Sequence, residues 1–258
     1  MLFPINTSGG RPPFFMVHGL HGVMPLGGIM GAALGADQPL YVVNAQGIDG
    51  REPPHERIED MLATYLAEIR RARETGPYVI GGFCGGGLLA LSLARSLWLQ
   101  GEPVGTVIMV DPPLMPFSRV PLQRDINPKD PHIYRQLWEN TDMALRRYAQ
   151  RYEGLPYDVR KIVQYHAAIE TGIATTVMLY RYTPPVFEGP TEFIISSERA
   201  FAHFHPESPW RSVVPKPGRY HVIPGSHDDF FFVHLEPVLG LIRFGLSRAQ
   251  FGRRRVAA

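Results

Sequence analysis

The chain's single cysteine, Cys84, stands at the centre of a Gly-Phe-Cys-Gly-Gly sequence at residues 82–86. An apolar run at residues 78–80 precedes this sequence, and a longer apolar run at residues 88–99 follows it. A reactive side chain flanked by glycines, between a buried strand and a helix, defines a nucleophile elbow. Serine usually occupies the central position. The sequence therefore predicts an enzyme that forms a covalent acyl intermediate on Cys84.

The composition of the chain is that of an ordinary globular protein. Its 258 residues are enough for one large α/β domain with a sizeable core, and 45% of them are hydrophobic. The net charge of +2 indicates neither a nucleic-acid partner nor a membrane surface as partner. We therefore expect a single domain over residues 1–258.

The compartment is inferred from the cysteine content and from the apolar runs. One cysteine cannot form an intramolecular disulfide, which fits a reducing compartment. No apolar run reaches the ~18 residues of a membrane span. The N-terminus lacks the basic and apolar regions of a signal peptide. We therefore expect a cytoplasmic protein.

Strand-like and helix-like patterns alternate along the first half of the chain. A helical pattern with one apolar face covers residues 56–74, and the apolar pattern after the elbow predicts a helix over residues 86–99. Alternation of this kind indicates parallel β-α-β units. The predicted strands cover residues 13–17, 40–44, 78–83, 104–110, 191–196 and 219–223.

The alternation stops between two proline pairs, at residues 112–113 and 184–185. The segment between them has helical patterns at residues 133–151 and 157–182. A helical insertion between two strands of a parallel sheet predicts a lid over the catalytic edge, here over residues 113–190. The alternative is a small second domain with no gating role.

A cysteine nucleophile needs a base, and the chain has ten histidines. His227 lies in the loop at residues 224–229, between the last predicted strand and an apolar run at residues 230–241. Parallel sheets carry their sites at the C-terminal ends of the strands. We therefore predict that His227 is the base. We expect packing or surface roles for His221, within a strand, and for His234, in the closing helix.

Two carboxylates qualify as the acid that orients the base. Asp111 directly follows the predicted strand at residues 104–110, and Glu198 follows the one at residues 191–196. Both strands are expected to end at the same edge of the sheet, so either side chain could reach a histidine there. The residues alone leave both candidates open.

An oxyanion hole needs two backbone N–H groups close to the nucleophile. Gly85, directly after Cys84, is expected to supply one of them at the start of the following helix. The glycine-containing loop at residues 17–22 is expected to supply the other, from Leu20. We expect that His18 and His21, in the same loop, are buried and structural.

No cofactor motif is complete in the sequence. His203 and His205 are close together, but no cysteine or carboxylate accompanies them at metal-ligand spacing. The glycines at residues 81–87 are not followed by the lysine and serine or threonine of a phosphate-binding loop. We therefore predict neither a metal nor a cofactor.

Taken together, these motifs resemble the type I thioesterase domains of nonribosomal peptide and polyketide synthetases, in the α/β-hydrolase superfamily. The resemblance covers essentially the whole chain. It depends on PPFFMVHGLHG, YVIGGFCGGGLLALSLA, VIMVDPP and GSHDDFF. The chain departs from most members because Cys84 replaces serine. The Ser-Met pair that is usual in the elbow of type II editing thioesterases is absent. The chain begins with Met and has no linker, which fits either a free-standing protein or an excised domain.

This resemblance implies an α/β-hydrolase fold: a mostly parallel central sheet flanked by helices, with a helical lid inserted between two strands. It implies a Cys-His-Asp triad in which Asp111 is the acid, because the family's acid follows the strand after the elbow helix. The implied substrate is an acyl thioester, carried on the phosphopantetheine arm of an acyl or peptidyl carrier protein. The acyl-Cys84 intermediate would release its product by hydrolysis or cyclisation.

Two other functions fit the same motifs. A dienelactone-hydrolase-like enzyme, or another hydrolase of small esters, would also place cysteine in the elbow, with Glu198 as the acid. A binding protein with the hydrolase fold would hold Cys84 as an inert thiol.

Overall fold

The central sheet has seven strands, and every pair of neighbours is parallel except the pair at one edge. The computed structural model describes residues 1–113, 126–151, 153, 159–205, 208, 210–216 and 218–251. The strand order is β1-β3-β2-β4-β5-β6-β7, and β1 runs antiparallel to β3. The strands are β1 (Leu2–Asn6), β2 (Phe14–Val17), β3 (Leu40–Val43), β4 (Tyr78–Phe83), β5 (Val104–Val110), β6 (Thr191–Ser196) and β7 (Arg219–Ile223).

Helices cover both faces of the sheet, which explains why its central strands are apolar without alternation. Every residue of β2, β4 and β6 is buried. The helices are α1 (Gly27–Leu34), α2 (Ile58–Ala72), α3 (Gly86–Leu99), α4 (Pro131–Arg151), α5 (Val159–Ile162), α6 (Tyr165–Arg181), α7 (Ser197–Phe204), α8 (Trp210–Val213), α9 (Asp229–Phe232) and α10 (Leu235–Phe251).

The core lies on the two faces of this sheet. On one face, Phe14 and Met16 of β2 pack in a cluster with residues of α1 and α10. On the other face, Phe15 and Val17 pack with residues of α2 and α3. Helix α2 buries one stripe of its surface. Helix α3 is buried on nearly all sides because it lies directly against β4 and β5. The apolar helix after the elbow is therefore a core element that holds the elbow in place.

Among the described residues between β5 and β6, the chain forms helices α4, α5 and α6. Helix α6 is mostly buried, whereas α4 buries only Thr141 and Leu145 among its residues. The insertion is therefore a buried helix covered by a largely exposed one. Within the predicted lid at residues 113–190, residues 114–125, 152 and 154–158 lie outside the described part of the chain.

The α/β-hydrolase fold predicted from the sequence is confirmed. Strand β1 was not predicted, and two local predictions need correction. The helix predicted over residues 157–182 is two helices, because α6 begins anew with Gln164 as its N-cap, whose side chain accepts a hydrogen bond from Ala167 N. His234 lies just before α10. Glu198, which was predicted only to follow the strand at residues 191–196, lies in the first turn of α7.

Candidate active site

Cys84 occupies the turn between β4 and α3. Its φ of 51° is in the left-handed region, which a residue with a side chain adopts only when the surroundings enforce it. The Cys84 N–H donates to Val110 O at 2.8 Å, so the end of β5 holds the turn. A Cβ atom on Gly82 would lie 2.0 Å from Gly86 O, and one on Gly86 would lie 2.2 Å from His18 O. The turn therefore requires glycine at both positions.

His227 reaches the elbow from the loop between β7 and α9. Its ring stacks on Phe83, with centroids 4.8 Å apart and planes inclined by 2°. One side of the imidazole meets Asp111, with Nδ1 2.5 Å from Oδ2. The imidazole also lies near the Cys84 thiol, because the two groups shift each other's pKa and line one cavity. The structure therefore brings Cys84, His227 and Asp111 together at one site.

Asp111 is fully buried at the end of β5, and its φ of 46° is also in the left-handed region. Its Oδ1 accepts a hydrogen bond from Ser196 N at 2.7 Å. Arg199 Nη1 lies 3.2 Å from Oδ2. Burial raises the pKa of Asp111, but the hydrogen bond to His227, the charge of Arg199 and the Ser196 N–H together hold it below its ordinary value. The buried carboxylate is therefore ionised and held from several sides.

The Cys84 thiol and the His227 imidazole shift each other's pKa. Burial raises the pKa of Cys84, but the charge and hydrogen bond of His227 lower it, and so do the charge of Arg199 and the Gly85 N–H; the net shift is downward. Burial lowers the pKa of His227, but the charge of Cys84 and the hydrogen bond to Asp111 raise it to about 9. Both shifts therefore favour a thiolate–imidazolium pair.

Glu198, the other candidate acid, contacts a different part of His227. Its Oε2 accepts a hydrogen bond from the backbone N–H of His227 at 3.3 Å, whereas Asp111 is the partner of the His227 ring. Two neighbouring contacts attach the same loop to α7: Ser197 Oγ lies 3.0 Å from Gly225 N, and Glu198 N lies 3.2 Å from Gly225 O. Glu198 therefore supports the loop that carries the imidazole.

The two residues predicted for the oxyanion hole lie against each other. A Cβ atom on Gly85 would lie 2.9 Å from Leu20 Cδ2. The Gly85 N–H also contributes to lowering the pKa of the Cys84 thiol. Thr176 Oγ1 donates to Leu20 O at 3.3 Å, which attaches the Leu20 loop to α6. Both residues are therefore close to Cys84, and the insertion holds one of them.

The two histidines of that loop differ in their surroundings. His18 is fully buried, with Nδ1 2.7 Å from Gly19 O and Nε2 2.6 Å from Tyr65 Oη. His21 is partly buried, with its Nδ1 atom enclosed, and lines the cavity beside Cys84. Burial lowers the pKa of His21 to about 4, and the charge of His227 adds to this effect. His21 is therefore neutral at physiological pH.

A cavity of about 620 Å³ opens onto Cys84 and His227. Its floor comes from the loops of the sheet edge and its roof from α4 and α6, which places the insertion over the candidate site. The roof mixes apolar and polar side chains: Leu137, Asn140, Thr141, Met143, Ala144, Arg147, Tyr148, Thr176 and Tyr180. The cavity is large enough for an acyl chain of modest size.

Arg199 is the site residue that the sequence analysis missed. It lies on α7, lines the cavity, and donates from Nη1 to Asp111 O at 2.7 Å. Its partner is 88 positions away, and no motif surrounds it. Among the described residues, no group of three or more histidine, cysteine or acidic side chains has a metal-binding arrangement. No helix within the described ranges has the length and hydropathy needed to cross a bilayer.

Comparison with known sequences supports one family. The family model described as "Thioesterase domain" matches residues 29–243. Malpinin synthetase of Mortierella alpina is 32% identical over 143 residues, which cover 55% of this chain and 2% of that protein. The dimodular nonribosomal peptide synthase of Bacillus subtilis (strain 168) is 36% identical over 111 residues, which cover 43% of this chain and 5% of the synthase. The chain thus spans a small part of these relatives.

Solved structures share the fold at low sequence identity. The NocB thioesterase domain, in covalent complex with a fluorophosphonate nocardicin G analogue, has a TM-score of 0.69 and 20% identity, covering 95% of this chain and 99% of that one. The type II thioesterase BorB from the borrelidin biosynthetic cluster has a TM-score of 0.67 and 18% identity, covering 95% and 97%. With the family match over residues 29–243, the chain belongs to the thioesterase family and has its α/β-hydrolase fold.

Proposed function

We propose that this thioesterase releases an acyl group from a thioester through an acyl-Cys84 intermediate. The observation that carries the proposal is that Cys84 and His227 line one cavity while Nδ1 of His227 lies 2.5 Å from Oδ2 of Asp111. The thiolate of Cys84 attacks the thioester carbonyl carbon. The C–S bond to the carrier breaks, and the departing thiolate takes the proton from the His227 imidazolium.

The oxyanion of this step is proposed to rest on the backbone N–H groups of Leu20 and Gly85. Gly85 begins the first turn of α3, where backbone N–H groups have no partner within the helix and the helix dipole favours negative charge. In release, a second nucleophile attacks the acyl-Cys84 carbonyl and passes its proton to His227, and Cys84 leaves as the thiolate. Water gives an acid, whereas an internal hydroxyl or amine gives a ring.

The proposed donor of the acyl group is a phosphopantetheine arm on an acyl or peptidyl carrier protein. The support is the relatedness to parts of nonribosomal peptide synthetases, in which the matched segment is a small fraction of the whole protein. No cofactor of the chain's own takes part in this mechanism.

The cysteine itself suggests which release step the site serves. A serine would form an oxygen ester, which lies downhill from the incoming thioester. Cys84 forms a second thioester, so the acyl group stays activated, particularly toward amines. We therefore propose that Cys84 serves a demanding release, such as formation of an amide or a strained ring. Plain hydrolysis is the competing outcome.

A small-ester hydrolase with Glu198 as its acid receives less support from the geometry. The Glu198 carboxylate contacts the His227 backbone, and the imidazole contacts Asp111. An inert binding protein also receives less support, because the surroundings of Cys84 lower the pKa of its thiol.

The direct test is intact-mass analysis after mixing the protein with a panel of acyl-pantetheine thioesters. The proposal expects a transient gain of one acyl mass in the wild type and none in Cys84→Ala. His227→Ala should load much more slowly. Turnover by Cys84→Ala at the wild-type rate would contradict the proposal.

A further inference from the structure

Helix α7 carries two side chains, one turn apart, that reach back to the end of β5. Arg199 Nη1 donates to Asp111 O at 2.7 Å, and His203 Nε2 lies 3.1 Å from Pro112 O. Burial lowers the pKa of His203, so the ring is neutral and donates from Nε2. Positions four apart share one helix face. Helix α7 therefore holds two successive carbonyl groups in the turn that carries the candidate acid.

Arg199 also places its charge at the reaction centre. Its side chain is 24% exposed and lines the cavity that contains Cys84 and His227. The guanidinium is charged at every pH at which a protein is folded. Its Nη1 lies 3.2 Å from the same Asp111 oxygen, Oδ2, that faces Nδ1 of His227 at 2.5 Å. One carboxylate is thus shared between a permanent cation and a titrating one.

We propose that Arg199 is a positioning residue that holds Asp111 against His227 and keeps a fixed positive charge beside the cysteine–histidine pair. The inference rests on the proposed acyl-Cys84 mechanism, because the same fixed charge has a different effect in each half of that reaction.

In the free enzyme, Arg199 stabilises the thiolate of Cys84, since opposite charges attract. In the acyl-enzyme the sulfur is neutral, and His227 must be an unprotonated imidazole to accept a proton from the releasing nucleophile. Asp111 alone would favour imidazolium strongly. The fixed cation opposes this effect, so His227 is returned to its neutral form for the second half of the reaction.

The remaining groups that face the pair do not supply such a charge. His21 is neutral, and burial together with the charge of Cys84 raises the pKa of Tyr180, so its hydroxyl is neutral too. Arg147 of α4 lies 3.0 Å from Asp228, which balances its charge. The fourth is Glu198, whose carboxylate accepts from the His227 backbone. Among these groups, Arg199 is the cation that contacts the candidate acid.

The test compares Arg199→Met and Arg199→Lys in the full chain. Arg243→Met is the matched control. Arg243 lies on α10, and its Nη1 also donates to a backbone carbonyl, Ala33 O, at 3.0 Å. The Cys84 thiolate is titrated by its ultraviolet absorbance and the His227 imidazole by NMR. Removing a cation disfavours both the thiolate and the neutral imidazole, so both curves should move to higher pH in Arg199→Met. Alkylation of Cys84 by iodoacetamide at weakly acidic pH should fall about three- to tenfold.

Arg199→Lys should keep both curves close to those of the wild type, and Arg243→Met should leave them unchanged. Unchanged curves in Arg199→Met would overturn the proposal. Curves that move in opposite directions, Cys84 upward and His227 downward, would overturn the proposed effect of the charge on His227 and would leave Arg199 only the role of holding Asp111 against His227. Arg199→Gln repeats the test if the methionine variant does not fold. The titrations use the free enzyme and therefore test Arg199 without any acyl-enzyme. A failure to form acyl-Cys84 would count against the proposed function and would not change how the titrations are read.

Discussion

The Oδ2 atom of Asp111 lies 2.5 Å from Nδ1 of His227, across 116 positions of sequence. Oδ1 of the same carboxylate is held by Ser196 N, and Oδ2 is also approached by Arg199. Each carboxylate oxygen therefore has a partner on a different element. The orientation of the imidazole is set before any substrate arrives, which reduces the reorganisation needed during reaction.

Replacing the acid should separate the two candidate carboxylates. We expect Asp111→Asn to lower kcat/KM for thioester release by about a thousandfold, because an amide does not stabilise imidazolium and favours the wrong tautomer of His227. Glu198→Gln should stay within about threefold of the wild type, because the Gln amide oxygen still accepts from His227 N. Steady-state assays with one acyl-pantetheine thioester measure both effects. A larger loss in Glu198→Gln than in Asp111→Asn would assign the acid to Glu198.

Replacing the sulfur should change the products rather than abolish loading. We expect Cys84→Ser to form an acyl-enzyme and to release a larger share of free acid, because an oxygen ester is less activated toward amines. The ratio of hydrolysed to amide or cyclised product, measured by liquid chromatography with mass detection, is the readout. An unchanged ratio would contradict the proposal that the cysteine serves release by formation of an amide or a strained ring.

The ionisation of Cys84 should depend on His227. The pKa of the thiol is lowered and that of the imidazole is raised to about 9, so the ion pair should exist in the window between them. As pH falls through the lowered Cys84 pKa, the thiolate is protonated and alkylation slows. In His227→Ala the charge is gone while burial remains, so alkylation should require a more alkaline pH. Iodoacetamide rates across pH test this, and an ordinary thiol profile in the wild type would support the inert-thiol alternative.

The elbow should not tolerate a methyl group at Gly86. A Cβ atom there would lie 2.2 Å from His18 O and 2.7 Å from Val17 O, both backbone atoms that cannot rotate away. We expect Gly86→Ala to lower the free energy of unfolding by about 3 kcal/mol or more. Gly240→Ala is the control, because its Cβ would meet only Arg243 Nη2 at 3.9 Å and alanine favours the helix by up to about 1 kcal/mol. Thermal unfolding of both variants measures the effect. Equal stability of Gly86→Ala and Gly240→Ala would contradict the tight packing of the elbow.

A threonine pair on α6 tests whether the insertion holds the Leu20 loop. Thr176 Oγ1 donates to Leu20 O, whereas the hydroxyl of Thr175 has no hydrogen-bond partner among the described residues. Thr176→Val should lower kcat a few-fold with little change in KM, because the Leu20 N–H that we propose for the oxyanion hole would be less well oriented. Thr175→Val removes an unsatisfied polar group and should keep kcat while raising stability slightly. Equal kcat values in the two variants would show that the Thr176 hydroxyl does not contribute to catalysis.

The central fold was predictable because its signals are local. The strands β4 and β5 are continuous apolar runs, and their predicted bounds, 78–83 and 104–110, match the structure. Strand β1 gave no such signal, since it is half-exposed, contains Pro4 and depends on antiparallel pairing with β3. The break between α5 and α6 was missed because the apolar pattern continues through it.

The candidate site was predictable only in part. Cys84 and His227 stand in glycine-containing turns at strand ends, which a sequence displays. The residues alone left Asp111 and Glu198 open, and only the family resemblance favoured Asp111, because the sequence does not show which side chain meets a ring and which meets a backbone N–H. Arg199 was missed for the same reason: its role depends on contacts with Asp111 that arise only when α7 packs against the end of β5.

The central claim is that the sulfur of Cys84 carries the acyl group during turnover. The most direct measurement is a rapid acid quench of the wild-type protein with one acyl-pantetheine thioester, followed by proteolysis and mass analysis of the peptide that contains Cys84. We predict that the acyl mass appears on Cys84 at a rate no slower than product release and disappears as product forms. Product release from the wild type with no acyl group on that peptide at any quench time, together with full activity of Cys84→Ala, would contradict the claim.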